Sequence, residues 1–90
     1  MLTVYSKNNC VHCAKAKLQL SNMDIKFNEI NVDEDTDAME FIVSEGHRTM
    51  PQIYINGKVF VEGGATGLQK LSEETIRNRI DTASFSGFKL

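Results

Sequence analysis

The chain of 90 residues has only two cysteines, two histidines and one proline, and each scarcity narrows what it can be. A structural zinc site wants four ligands, usually in two close pairs. Cys10 and Cys13 are one pair, but His12 sits wedged between them and His47 stands alone, so no second pair forms and no metal is expected. No apolar run approaches the ~20 residues of a membrane-spanning helix. The opening MLTVYSKNNC has no charged segment followed by an apolar one, so neither a signal peptide nor a membrane partner is expected. A basic stripe is missing as well, and a net charge of −2 speaks against nucleic acid. With no repeat, linker or low-complexity stretch, the expectation is one domain over 1–90, its core about 2–83 and a tail at 84–90. The expected compartment is the cytoplasm, where a CxxC is better suited to metal binding or redox chemistry than to stapling.

What is present reads as an alternation of strands and helices. LTVYS (Leu2–Ser6) mixes β-branched and aromatic residues and reads as a strand. Asn8 or Asn9 stands where it can cap a helix from about Val11 to Ser21, whose apolar stripe is Cys13, Ala16, Leu20 and Met23. IKFNEINV sets Ile25, Phe27, Ile30 and Val32 in an imperfect strand period. DEDTDAMEFIVSEG then offers an Asp/Thr cap, acidic residues in the first turn, apolar Ala38, Phe41 and Ile42, and a terminating Gly46. In PQIYINGKVFVEGG, two β-rich runs flank Asn56-Gly57, which suits the type I′ turn of a hairpin that Gly63-Gly64 ends. A last helical region carries Leu68, Leu71, Ile76, Ile80 and Ala83, with a break expected near Ser72. The order β-α-β-α-β-β-α predicts an α/β fold. A right-handed crossover makes a parallel pair, the hairpin adds antiparallel strands, and helices cover both faces of a four-stranded mixed sheet.

The two cysteines remain to be read. Cys13 lies on the apolar stripe, where burial is expected whether or not it reacts. Cys10 follows a polar SKNN loop at the helix entrance, where unpaired backbone N–H groups and the positive end of the helix dipole favour thiolate. Lys7 nearby acts in the same direction. Three-residue spacing sets both sulfurs on one face of the first turn, within reach of a bridge. A redox pair, one thiol accessible and one shielded, fits better than zinc or an inert pair. Pro51, in RTMPQ, has two readings: a proline that simply opens a strand, or a cis Met50–Pro51 bond that exposes the preceding backbone to an extended substrate.

Taken together, the strand, SKNNCVHC and its helix, TMP, the Asn-Gly hairpin and GG resemble the glutaredoxins, of thioredoxin fold, over about residues 2–83. The resemblance implies a thiol–disulfide oxidoreductase that draws electrons from glutathione as co-substrate and reduces protein disulfides or glutathione mixed disulfides. Cys10 would be the nucleophile and Cys13 the resolving thiol. Thr49, Met50 and Pro51 match a segment whose middle residue pairs its backbone with glutathione, and Lys7 matches a lysine that meets a glutathione carboxylate. Gly63, Gly64, Ala65 and Thr66 match the stretch that holds the γ-glutamyl end.

Two departures modify that inheritance. The family's usual CPYC is CVHC here, so Val11 and His12 stand beside the thiols in place of proline and tyrosine. A protonated His12 would stabilise the thiolate and make the protein more oxidising; otherwise it is an exposed helix histidine. The usual pair of acidic or hydroxyl residues after GG is ATG here, and Gly67 removes one partner for the glutathione amine. Two rival readings follow from the resemblance. One is a glutaredoxin-like electron donor to ribonucleotide reductase, recycled by thioredoxin reductase; the other is a dimer holding an iron–sulfur cluster through Cys10 and glutathione. Asp33, Asp35 and Asp37 alternate like a calcium loop, but Ala38 and Ser44 occupy the positions that need glycine and glutamate, so they read as helix capping. His47 and Arg48 follow a helix C-terminus, where cations favour the dipole. Phe85 and Phe88 are expected to pack back on the domain.

Overall fold

Alternation along the first strand decides how the two faces of the sheet are divided. The computed structural model describes the backbone of residues 1–85 and the side chains of residues 1–83, so the expected packing of Phe85 and Phe88 lies outside the described residues. The elements are β1 (Leu2–Ser6), α1 (Val11–Asn22), β2 (Phe27–Asn31), α2 (Thr36–Ser44), β3 (Gln52–Ile55), β4 (Lys58–Val61), α3 (Gly64–Gln69) and α4 (Glu73–Phe85). Leu2 and Val4 point to one face, into a core shared with Ala16 and Leu20 of α1, Ala65 and Leu68 of α3, and Ile76 of α4. Tyr5 points to the other, where Tyr54, Ala38 and Ile42 form a second core under α2. Helices therefore cover both faces of one mixed sheet, ordered β2-β1-β3-β4, as the element order predicts.

β1 runs parallel to β2 and antiparallel to β3, and β3 runs antiparallel to β4. Asn56 and Gly57 both adopt positive φ (52° and 79°), the requirement of the predicted type I′ turn. Beyond the turn the register shifts: Tyr54 faces Val59 while Ile53 faces Val61, leaving Phe60 as an extra residue. That bulge lets the adjacent Phe60 and Val61 both enter the same core.

The helix ends follow their predicted chemistry except at the start of α1. Asp35 caps α2 through Oδ1, which accepts from the Ala38 N–H at 3.0 Å. Gly46, at φ 85°, closes α2, with its own N–H bonded to Val43 O at 2.9 Å and the His47 N–H bonded to Ile42 O at 3.1 Å. The cap of α1 is neither Asn8 nor Asn9: Cys10 holds that position, and its Sγ accepts from the Cys13 N–H at 3.2 Å. The last helical region is two helices, parted at the break expected near Ser72. Ser72 Oγ accepts from the Thr75 N–H at 3.1 Å and starts α4, which accounts for the irregular step between Leu71 and Ile76.

Gly67 sits where α3 crosses back over the end of β4. A Cβ there would run into the Glu62 carbonyl oxygen and stand 3.2 Å from Val61 Cγ2. Backbone cannot swing aside as a flexible side-chain tip does, so the whole helix would have to move. Gly67→Ala is expected to lower stability by about 1–3 kcal/mol in urea unfolding, against less than about 0.5 kcal/mol for exposed Gln69→Ala, two residues on at the end of α3. Equal stabilities for the two variants would mean that α3 does not approach β4 this closely.

Candidate active site

Cys10 and Cys13 form a disulfide across the first turn of α1, with Cα atoms 5.2 Å apart. Their surroundings differ as the redox reading requires. Cys13 is only 2% exposed, on the face that carries Ala16 and Leu20 into the core, whereas Cys10 is half-buried at the helix entrance. Val11 and His12, between them, both point to solvent. The Cys13 N–H aimed at Cys10 Sγ is one of the N-terminal donors that have no partner within the helix backbone. A thiolate at Cys10 would receive it as a charge-assisted bond, stronger than the one made to a neutral sulfur.

Opposite the disulfide lies the loop that enters β3. Met50–Pro51 is cis, the second of the two readings of that proline, and Cys10 Sγ lies 3.8 Å from the Met50 carbonyl oxygen. The contact spans forty positions of sequence, yet the sheet makes it short. Tyr5, near the end of β1, is the register partner of Gln52, the first residue of β3, so the chain leaves and re-enters the sheet side by side. Gly64 completes the arrangement. It is buried with φ 57°, and a Cβ there would stand 2.7 Å from the Pro51 carbonyl oxygen. Only glycine lets the GG segment lie against the cis-proline.

Two cavities flank this loop. One, of about 550 Å³, has Lys7 and Met50 among its lining residues, with apolar Val32 and Ile42 beside them. The other, of about 370 Å³, is lined by Thr49, Gln52, Glu62, Gly63 and Gly64 among others. The proposed binding residues thus divide between two sides of Met50 rather than lining one pocket. Ala65 is buried in the core, leaving only its backbone for a ligand, and Thr66 is exposed. No group of three or more His, Cys, Asp or Glu side chains able to hold a metal occurs among the described residues. No helix among them is long and apolar enough to cross a membrane.

A CxxC at a helix entrance facing a cis-proline loop, on this sheet, defines a thiol–disulfide oxidoreductase of thioredoxin fold. The family model of the glutaredoxins matches residues 2–60. Over 53 residues the chain is 49% identical to the glutaredoxin-like protein NrdH of Lactococcus lactis subsp. cremoris, a match covering 59% of this chain and 74% of that one. NrdH-redoxin from Escherichia coli, whose structure is described as the basis of a thioredoxin-like activity profile, superposes with a TM-score of 0.59 at 33% identity, covering 61% of this chain and 72% of that chain. Glutaredoxin C1 of poplar, Populus tremula x tremuloides, reaches a TM-score of 0.72 over 92% of this chain and 78% of its own; at 23% identity that is a likeness of fold alone. The chain belongs to the glutaredoxin family.

Sequence reading missed the polar contacts that hold the site together. Asn8 does not cap α1; its N–H donates to Asp33 Oδ2 at 2.9 Å, and its Oδ1 accepts from Asn31 Nδ2 at 2.8 Å. These bonds fasten the loop before Cys10 to the end of β2. Asp33, read as part of a helix cap, belongs to that clamp instead. Below it, Glu29 Oε2 accepts from Lys17 Nζ at 2.7 Å and from buried Ser6 Oγ at 2.8 Å, tying α1 to β1 and β2. The only advance signal was a polar residue in each place where a strand end meets the site.

The Lys17 and Ser6 hydrogen bonds, with the Lys17 charge, hold the Glu29 carboxyl below its ordinary 4.5. A lowered pKa contributes stability that is present above the ordinary value and lost as pH falls through the folded one. The expected result is that wild type loses stability more steeply than Glu29→Gln as pH is lowered from about 5, in urea unfolding at successive pH values. Parallel curves would show that the two bonds contribute nothing to the folded state. Because Glu29 is partly exposed and its ion pair is open to solvent, the difference is expected to be small.

Proposed function

We propose that the chain is a glutaredoxin-like electron donor to ribonucleotide reductase, itself re-reduced by thioredoxin reductase rather than by glutathione. The observation that carries this reading is the 49% identity to an NrdH protein. The thioredoxin-like activity profile ascribed to the E. coli relative supports it. So does Gly67: the position where the family keeps a second acidic or hydroxyl residue is one where no Cβ fits. A carboxylate that would hold the glutathione amine is therefore absent for a packing reason.

In the reaction, the Cys10 thiolate attacks one sulfur of the substrate disulfide and the other leaves as thiolate. Cys10 is then joined to the substrate in a mixed disulfide. Cys13, shielded from solvent, meets only the sulfur that Cys10 has brought to it. Its thiolate attacks Cys10 Sγ, expels the second substrate thiolate and closes the Cys10–Cys13 bridge. Two electrons have passed to the substrate, and the cycle ends in a Cys10–Cys13 bridge like the one in the structure. Glutathione as reductant is the second reading, favoured by the cavity that Thr49, Gly63 and Gly64 share beside Met50.

The test is a comparison of reductants acting on the oxidised protein. NADPH with thioredoxin reductase is expected to open the bridge at least about tenfold faster than glutathione at matched reducing capacity. The reverse ranking would assign the chain to glutathione. Cys10→Ser is expected to abolish disulfide reduction, and Cys13→Ser to accumulate a mixed disulfide at Cys10.

A further inference from the structure

We infer that Tyr54, through hydrogen bonds to His47 and Glu45, positions the loop that presents Met50 to the redox disulfide. The inference rests on the reading of Cys10 and Cys13 as a disulfide-reducing pair and adds a residue that acts through the loop.

Tyr54 lies mid-strand in β3 and is 2% exposed, its ring set edge-on to Tyr5, Phe41 and His47 at centroid distances of 5.5, 5.3 and 5.8 Å. Its hydroxyl donates to Glu45 Oε1 at 3.1 Å and lies 2.7 Å from His47 Nε2. A hydroxyl has one proton to give. With that proton directed at Glu45, the hydroxyl accepts from His47, so Nε2 is the ring nitrogen that carries hydrogen. The donor persists through the working range of pH, because burial, and then the Glu45 carboxylate, push the Tyr54 hydroxyl up to about 12.

The geometry makes this a brace. Glu45 is the C-cap of α2, and His47 begins the stretch that runs through Arg48, Thr49 and Met50 to Pro51. One buried hydroxyl therefore ties the end of the helix and the start of the loop to the strand that the loop leads into. The far end is tied as well: buried Gln52 donates from Nε2 to the Thr49 carbonyl at 2.8 Å. Between these anchors sits the Met50 carbonyl, 3.8 Å from Cys10 Sγ. His47 also lines both cavities beside the loop, so a shift of its ring would reshape both sides at once. A core tyrosine that merely filled space would need no such partners, one at the helix end and one at the start of the loop; phenylalanine has the same ring.

The experiment follows reduction of a disulfide-linked, quenched peptide pair, with dithiothreitol as the source of electrons. Wild type, Cys10→Ser, Tyr54→Phe, His47→Ala and His47→Gln are compared. Tyr54→Phe and His47→Ala are each expected to raise KM about tenfold, the worth of a lost hydrogen bond, with kcat changed less than about twofold. His47→Gln, which keeps an N–H donor, is expected to restore KM to within about twofold of wild type. Alkylation of reduced Cys10 by iodoacetamide, which does not use the loop, is expected to proceed at the same rate in every variant but Cys10→Ser. An active wild type with unchanged KM in Tyr54→Phe overturns the brace alone, whatever its melting temperature. His47→Gln as impaired as His47→Ala overturns it too. A wild type no better than Cys10→Ser overturns the functional reading, and the brace with it.

Discussion

A single sulfur atom does two jobs in this structure: Cys10 Sγ is both the cap of α1 and one half of the redox bridge. Most helices start on a side-chain oxygen, which accepts backbone N–H bonds well. A sulfur in a disulfide accepts weakly, so the start of α1 is held only loosely by its cap while the protein is oxidised. On reduction, a thiolate at Cys10 gains negative charge at the end of the helix where the dipole is positive, facing a donor already 3.2 Å away. The cap therefore tightens as the bridge opens. Helix geometry favours the reduced state, and a favoured reduced state makes a stronger oxidant.

A weak cap has to be supported from elsewhere, and the polar residues around the site do this. Asn8, Asn31 and Asp33 hold the loop on one side of Cys10; Ser6, Glu29 and Lys17 hold the helix on the other. Neither group touches the sulfur. Across the gap, the cis-proline loop is fixed at both ends by side chains of β3, Tyr54 and Gln52. The site thus lies between two loops that leave adjacent strands at one end of the sheet, each fastened back to the sheet by hydrogen bonds. The division of the core into two clusters, one per face, gives those strands a rigid base on both sides.

What could be read in advance follows from the range of each signal. The CxxC, the Asn-Gly turn, the Asp35 cap and the Gly46 stop depend on residues a few positions apart, and all of them stand. The parallel β1–β2 pair and the two covered faces follow from element order, which constrains topology strongly. The features that were missed depend on residues that the fold alone brings together. Asn8 was read as a cap because it precedes a helix, yet its partners are Asn31, the last residue of β2, and Asp33 just beyond it. His47 was read as a cation at a helix end, yet Nε2 meets a hydroxyl seven positions on, in the next strand. The bulge at Phe60 left no trace, since KVFV reads as an unbroken strand with or without it.

Gly67 shows how a correct observation can carry an incomplete reason. In sequence it is a missing carboxylate, which implies that putting one back would restore a glutathione contact. In the fold it is a close approach: α3 passes so near the Glu62 carbonyl that any side chain there must displace helix or strand. Displacing α3 would shift Gly64 as well, and Gly64 is what rests against the Pro51 carbonyl. An acidic residue at 67 would therefore disturb the cis-proline loop before it could bind an amine. The GGATG segment is a packing solution as much as a loss of ligand contacts, since Gly64 and Gly67 let the hairpin, α3 and the cis-proline lie closer than side chains would allow. The same closeness that leaves no room for a side chain at 67 helps to fix Met50 beside Cys10, so the absent carboxylate and the firm positioning of the disulfide have one structural origin.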